Sequence, residues 1–189
     1  KLFAGTTGLT MLGLAGADTL TGGIGADTAD YSQDGIWGGG NGIKVNLGTV
    51  ATTQFGASLA AGKIVDGFGV IDTVSLIENV RGTNHDDQFL GSAGKNFFEG
   101  LGGNDRFIID GEADTLDGGD GTDMFDAIGQ TTAVKVNLSD VQQIVGANTL
   151  AAGTATDSLG KVDKLISIEE VRGSAAADIL IGTDNVASG

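Results

Sequence analysis

Five oxygen-bearing side chains recur every nine residues: Asp87, Asn96, Asp105, Asp114 and Asp123. Asp18 and Asp27 show the same spacing near the start, and Asp178 follows Asp87 by 91 residues. Glycines crowd the positions just before them. Gly118-Gly119-Asp120-Gly121-Thr122-Asp123 and Gly22-Gly23-Ile24-Gly25-Ala26-Asp27 both read Gly-Gly-x-Gly-x-Asp. Gly100-Leu101-Gly102-Gly103-Asn104-Asp105 keeps most of that backbone freedom. Glycine takes positive φ without steric penalty, so such a turn can curl with its carbonyl oxygens inward. One carboxylate and the carbonyls of a turn, with Gly100, Gly102, Gly119 and Gly121 as candidates, supply about half of the roughly 6–8 oxygens that a hard cation such as calcium takes.

The second half must come from a neighbouring turn. Successive nonapeptides fall on opposite edges of a coil, so stacked partners lie 18 apart. Asp87, Asp105 and Asp123 then share one edge and offer two intervals with two carboxylates each. Asn96 and Asp114 share the other edge, with one charge, one amide and Lys95 alongside. Asp27 stacks over a turn ending at Leu9, which has no carboxylate. Asp18 lacks an evident partner below it, because the sequence begins too late, and the partner of Asp178 falls beyond Gly189. Two carboxylates about 4 Å apart repel by roughly 4 kcal/mol at an effective dielectric of 20. That is a large share of a domain's roughly 5–15 kcal/mol stability, so folding is expected to depend on the cation.

The elements that position these groups follow from the same period. Two residues after each ligand phase stands Phe89, Phe98, Phe107, Leu116 or Phe125. A strand alternates its faces, so a three-residue strand buries its central side chain and exposes the other two. Two nine-residue units make one coil, and stacked coils bury the apolar row between two parallel sheets. A longer repeat overlies the short one. Lys44-Val45-Asn46-Leu47 recurs at Lys135-Val136-Asn137-Leu138, and Ile77-Glu78 recurs at Ile168-Glu169, both offset by 91. The Asp18 block recurs at Asp114 with an offset of 96, which leaves five extra residues near Trp37. The chain is therefore read as nonapeptide coils at 1–31, an excursion at 32–81, the main block at 82–126, a second excursion at 127–172 and a further block beginning at 173–189. The segment from Val141 to Ala152 is read as a site for a short helix. Trp37 and Tyr31 are read as packing an excursion onto the coils. Asp30 and Asp126 are read as polar strand ends facing water, and Glu78 and Glu169 as paired with Arg81 and Arg172 or solvated.

Composition excludes several functions. Of 25 acidic residues 20 are Asp, which with 34 glycines is turn chemistry rather than helix chemistry. A net charge of −15 with ten scattered cations leaves no basic patch for nucleic acid. The single histidine, His85, rules out a paired-histidine site, and no cysteine is present for disulfides or thiolate metals. No apolar run is long enough for a membrane helix. With no catalytic constellation in sight, the chain is read as non-enzymatic.

The nonapeptides at 13–31 and 82–126, with a degraded copy near 173–182, resemble the RTX, or hemolysin-type, calcium-binding repeat family. So do Gly23-Ile24-Gly25-Ala26-Asp27-Thr28-Ala29-Asp30-Tyr31 and Ser75-Leu76-Ile77-Glu78-Asn79-Val80-Arg81-Gly82. Two turns depart from the pattern: Ile109-Asp110-Gly111-Glu112-Ala113-Asp114 lacks the first glycines, and Gly82-Thr83-Asn84-His85-Asp86-Asp87 keeps only the first. The resemblance implies a right-handed parallel β-roll with Ca2+ in its turns, type I secretion, and folding outside the cell. The expected role is a calcium-stiffened segment of a long secreted or surface protein of adhesin or surface-layer type. Its partners are calcium and copies of itself or neighbouring repeats. The alternative is the calcium-dependent C-terminal secretion module of an extracellular metalloprotease, lipase or alginate epimerase.

Overall fold

The structure is a computed structural model that describes residues 7–108, 112–157 and 160–183. The start of the first block, Ile109-Asp110-Gly111 ahead of Asp114, and the last block from residue 184 onward lie outside the described residues.

Short strands separated by glycine turns make up almost everything described. Strands β1 (Thr10–Met11), β2 (Thr19–Thr21) and β3 (Thr28–Asp30) open the chain. The first excursion supplies β4 (Lys44–Asn46), β5 (Lys63–Val65) and β6 (Ile71–Ser75). Six strands follow at the nine-residue period: β7 (Asn79–Arg81), β8 (Gln88–Leu90), β9 (Phe97–Gly102), β10 (Arg106–Ile108), β11 (Thr115–Asp120) and β12 (Met124–Asp126). The second excursion gives β13 (Lys135–Asn137), β14 (Gln143–Val145), β15 (Asn148–Leu150), β16 (Thr154–Thr156) and β17 (Val162–Ile166). Then come β18 (Glu170–Arg172) and β19 (Ile179–Ile181). The one helical element described is a 3-10 turn at Asp34–Trp37.

The chain alternates between two sheets. One has the order β1-β3-β7-β9-β11-β17-β16-β13-β19, the other β18-β12-β10-β8-β4-β5-β6-β2, and β14-β15 form a separate hairpin. Within the nonapeptide block pairing is parallel with an 18-residue register: Phe89↔Phe107↔Phe125 on one sheet and Phe98↔Leu116 on the other. These side chains are almost fully buried, and Phe89 stacks on Phe107 at 4.9 Å and across the sheets on Phe98 at 5.1 Å. Burying each ring contributes roughly 1.5–3 kcal/mol, and no three-residue strand could do this alone.

The sheets are mixed rather than uniformly parallel. β5 runs antiparallel to β4 and β6, and β16 runs antiparallel to β13 and β17. β4, β5 and β6 lie in one sheet, as do β13, β16 and β17, and the short β5–β6 and β16–β17 connections make those neighbours reverse, since a parallel neighbour needs a long crossover. The first excursion sits in the eight-stranded sheet and the second in the nine-stranded sheet, because the six strands β7–β12 alternate sheets between them. Val141 to Ala152 holds the β14–β15 hairpin, not a helix; Gly146, at φ 62°, opens its two-residue turn.

Candidate metal centre

The acid-phase residues form a hydrogen-bonded ladder along the two edges. On one edge the N–H of Ile43 donates to Asp87 Oδ1 at 2.6 Å, Asp87 N–H to Asp105 Oδ1 at 2.8 Å, and Asp105 N–H to Asp123 Oδ1 at 2.7 Å. Asp123 N–H continues to Glu169 Oε2 at 2.9 Å. On the other edge Leu9 N–H donates to Asp27, Asp27 N–H to Glu78 Oε2, Asn96 N–H to Asp114 Oδ1 and Asp114 N–H to Asp163 Oδ1. Each rung satisfies a buried amide of the coil before it, which such an amide requires.

Four rungs come from the excursions. Glu78 and Glu169 are rungs rather than partners of Arg81 and Arg172; Arg81 instead meets Glu99 at 3.5 Å and Arg172 meets Asp126 at 3.2 Å. Asp72 and Asp163 are rungs that the nine-residue count did not reach. Asp72 takes the N–H of Asp18 at 2.8 Å as the rung above it. Both could have been found by spacing, since Asp72 precedes Val74 and Asp163 precedes Leu165 by the same two residues that separate Asp87 from Phe89. Asp126 is another correction. It is buried, not facing water, and holds Arg106 Nε at 2.6 Å as well as Arg172, while Arg106 also donates to Gln54 O at 2.7 Å.

What separates the rungs is the second oxygen. In Asp27, Asp87 and Asp178 it is closed by the N–H four residues earlier: Gly23 at 2.7 Å, Thr83 at 2.7 Å and Ser174 at 2.8 Å. Asn96 is closed twice, accepting from Ser92 N–H at 2.7 Å and donating from Nδ2 to Glu78 O at 2.8 Å. Asp105 Oδ2 and Asp123 Oδ2 are buried and have no hydrogen-bond partner. The cause lies in the turns. β9 and β11 run on into their turns, pairing Leu101 with Gly119 and Gly102 with Asp120, so those backbones bond to each other instead of folding over the carboxylate. That path takes Gly119 to φ 97°, Gly121 to φ 149° and Leu101 to φ 78°, the last a conformation a branched residue rarely adopts.

The surroundings of the free oxygens are oxygen-rich. Asp105 Oδ2 lies against the Cα of buried Gly100, beside Gly118 O; Asp123 Oδ2 lies against Gly118, beside Ser167 O. Any Cβ at either glycine would strike the carboxylate. Gly102 is half-buried, and Gly119 and Gly121 are exposed at the outer rim. Burial pushes the Asp105 carboxyl up to about 8, with the Asp87 and Asp123 charges adding and only the Asp87 amide opposing. Burial lifts Asp87 to about 7 against hydrogen bonds from Thr83 and Ile43, and lifts Asp123 as well. Asp178 is held below the usual range, its partial burial outweighed by the Ser174 hydroxyl and the Val134 and Ser174 amides. A buried pair of anions facing carbonyls is an arrangement that a hard divalent cation relieves.

A family model of the RTX calcium-binding nonapeptide repeat matches four copies, within residues 10–35, 81–110 and 110–127. These segments match the RTX calcium-binding repeat. RTX nonapeptide repeats bind Ca2+, and the unpartnered Asp105 and Asp123 oxygens beside the Gly118 and Ser167 carbonyls suit that ion. The matched segments contain Asp18, Asp27, Asp87, Asn96, Asp105, Asp114 and Asp123; Asp178 lies outside them. Among the described residues no helix is long and apolar enough to cross a membrane.

Proposed function

We propose that this chain is a calcium-stiffened structural segment of a longer secreted or cell-surface protein, delivered by a type I system and folded outside the cell. Within it the nonapeptide coils form a right-handed parallel β-roll, interrupted by two excursions that divide the chain at about the boundaries read from the sequence. The observation that carries the reading is the pair of buried, unpartnered oxygens on Asp105 and Asp123, stacked 18 residues apart on one edge. Asp105 and Asp123 would hold the best-occupied ion, with carbonyls of the 100–103 and 118–121 turns completing its shell. Asp87 with Asp105 ranks second, because both Asp87 oxygens already accept N–H bonds. Asn96 with Asp114 ranks third, because the Asn96 amide is satisfied without an ion. Asp18, Asp27 and Asp178 rank below these.

An adhesin or surface-layer role suits a chain built of tandem units with regular parallel stacking and an acidic surface. Removing the ion leaves adjacent buried carboxylates to repel one another, so rigidity appears only where calcium is abundant. Circular dichroism of the chain in calcium and in excess chelator tests this. A strand spectrum that collapses on chelation supports the proposal; an unchanged one defeats it.

A further inference from the structure

Outside the RTX turns lies a second set of buried carboxylates: Asp34, Asp66 and Asp72, each 0% exposed. Three segments around the first excursion carry them. Asp34 opens the 3-10 turn; its Oδ2 accepts the N–H of Gly67, next to Asp66, at 2.9 Å. Asp66 folds its own loop by accepting from Phe68 and Val70 at Oδ1. Asp72 Oδ2 accepts the hydroxyl of fully buried Tyr31 at 2.9 Å. Asp34 feels the charges of Asp66 and Asp72, Asp72 feels those of Asp66 and Asp18, and Tyr31 feels Asp34, Asp66 and Asp72. Among the described residues no cationic side chain pairs with any of them. Two oxygens in this space, Asp34 Oδ1 and Asp66 Oδ2, are buried without a hydrogen-bond partner.

We propose that Asp34, Asp66 and Asp72 form a further divalent-cation site of calcium type, seated in the first excursion and adjoining the repeat coils through Asp72, which also accepts the N–H of Asp18. A buried carboxyl group ionises only when it is paired or metal-bound, and these groups have a phenol and amides around them but no counter-charge among the described residues. Among the described residues no three acidic side chains are already gathered around one point, and the RTX turns share that state, so in both places the ion has to draw its ligands in. The second unit serves as an internal comparison. Asp157 and Asp163 match Asp66 and Asp72 at the offset of 91, but Ala127 and Gln130 stand where Tyr31 and Asp34 stand at the offset of 96. The third carboxylate is thus particular to the first excursion, and the five extra residues beside it fall near Trp37.

Trp37 makes the site readable. It is the chain's single tryptophan and ends the 3-10 turn that Asp34 begins, roughly 6 Å away along the axis. Terbium(III), a luminescent substitute for calcium, is titrated into the full chain while Trp37 is excited. The site predicts saturable sensitised emission that calcium displaces. Asp34→Asn and Asp66→Asn should each weaken it by more than about tenfold, since even outer-shell changes at metal sites cost that much. Both variants should keep the calcium-dependent strand signal, because neutralising one buried carboxylate relieves repulsion; Asp66→Asn decides the matter if Asp34→Asn does not fold. No emission from the native chain, in a sample whose strand signal still responds to the ion, overturns the site while leaving the RTX reading intact. So does emission that both variants leave unchanged.

Discussion

Replacing Asp105 by Asn should invert the sign of its effect with calcium. The amide keeps the shape of the rung, so its oxygen still accepts the N–H of Asp87. What disappears is a charge flanked on its edge by Asp87 and Asp123. Adjacent rungs of a parallel stack are about 4.8 Å apart, which at an effective dielectric of 20 gives roughly 3–4 kcal/mol per neighbour. The carboxyl's rise to about 8 points to the same scale. Holding a proton at pH 7 on a group that ordinarily loses it near 4 costs roughly 4 kcal/mol. Without calcium Asp105→Asn should therefore raise stability by a few kcal/mol and increase strand content in chelator. With calcium it should weaken binding, because one of the two free oxygens near the ion becomes an uncharged amide. Thermal melts followed by circular dichroism, in chelator and across a calcium titration, read both effects. Loss of strand content in chelator would refute the reasoning, since it would mean that the Asp105 charge stabilises the empty fold.

Other expectations follow from the same geometry. Phe107→Ala removes the middle ring of the stacked row and should cost roughly 3–5 kcal/mol in calcium, measured by denaturant unfolding; a cost under about 1 kcal/mol would place the ring outside the core. Leu101→Gly should stabilise by roughly 1 kcal/mol by relieving φ 78°, whereas Gly119→Ala should destabilise, because a Cβ there would sit 2.8 Å from the Leu101 carbonyl carbon. Asp126→Ala, which strips the buried partner from Arg106, should cost roughly 3–5 kcal/mol by the same assay. In chelator, stability should fall as pH rises from about 4 to about 8. The folded state keeps protons on Asp87 and Asp105 that the unfolded chain has lost, so the loss grows through that window and levels above it. Calcium binding should release those protons and tighten with pH over the same range, which titration calorimetry in buffers of different ionisation enthalpy detects.

The nine-residue period made the core register legible. An apolar side chain every nine residues can be buried in only one way if strands are short and faces alternate, and Phe89, Phe107 and Phe125 pair as that spacing demands. The excursions were less legible, because counting stops where the period stops. Asp72 and Asp163 rejoin the ladder after loops of irregular length, and only their spacing to Val74 and Leu165 marks them. The open or closed state of a rung was not legible at all. Gly22–Asp27 matches the glycine pattern in full, yet Gly23 closes its carboxylate, while the imperfect 100–105 turn leaves Asp105 Oδ2 free. That difference depends on whether the strand continues into the turn, which the neighbouring coil decides. The aromatic pair of the first excursion divides in the same way: Tyr31 is buried against Asp72, whereas Trp37 is 67% exposed on the inserted turn rather than packed.

The most direct test is anomalous diffraction from crystals of the chain grown in calcium. The account predicts the strongest anomalous peak between the 100–105 and 118–123 turns, within coordination distance of Asp105 Oδ2 and Asp123 Oδ2, with a weaker peak toward Asp87. Full peaks at Asp27 or between Asn96 and Asp114, with none between Asp105 and Asp123, would contradict it.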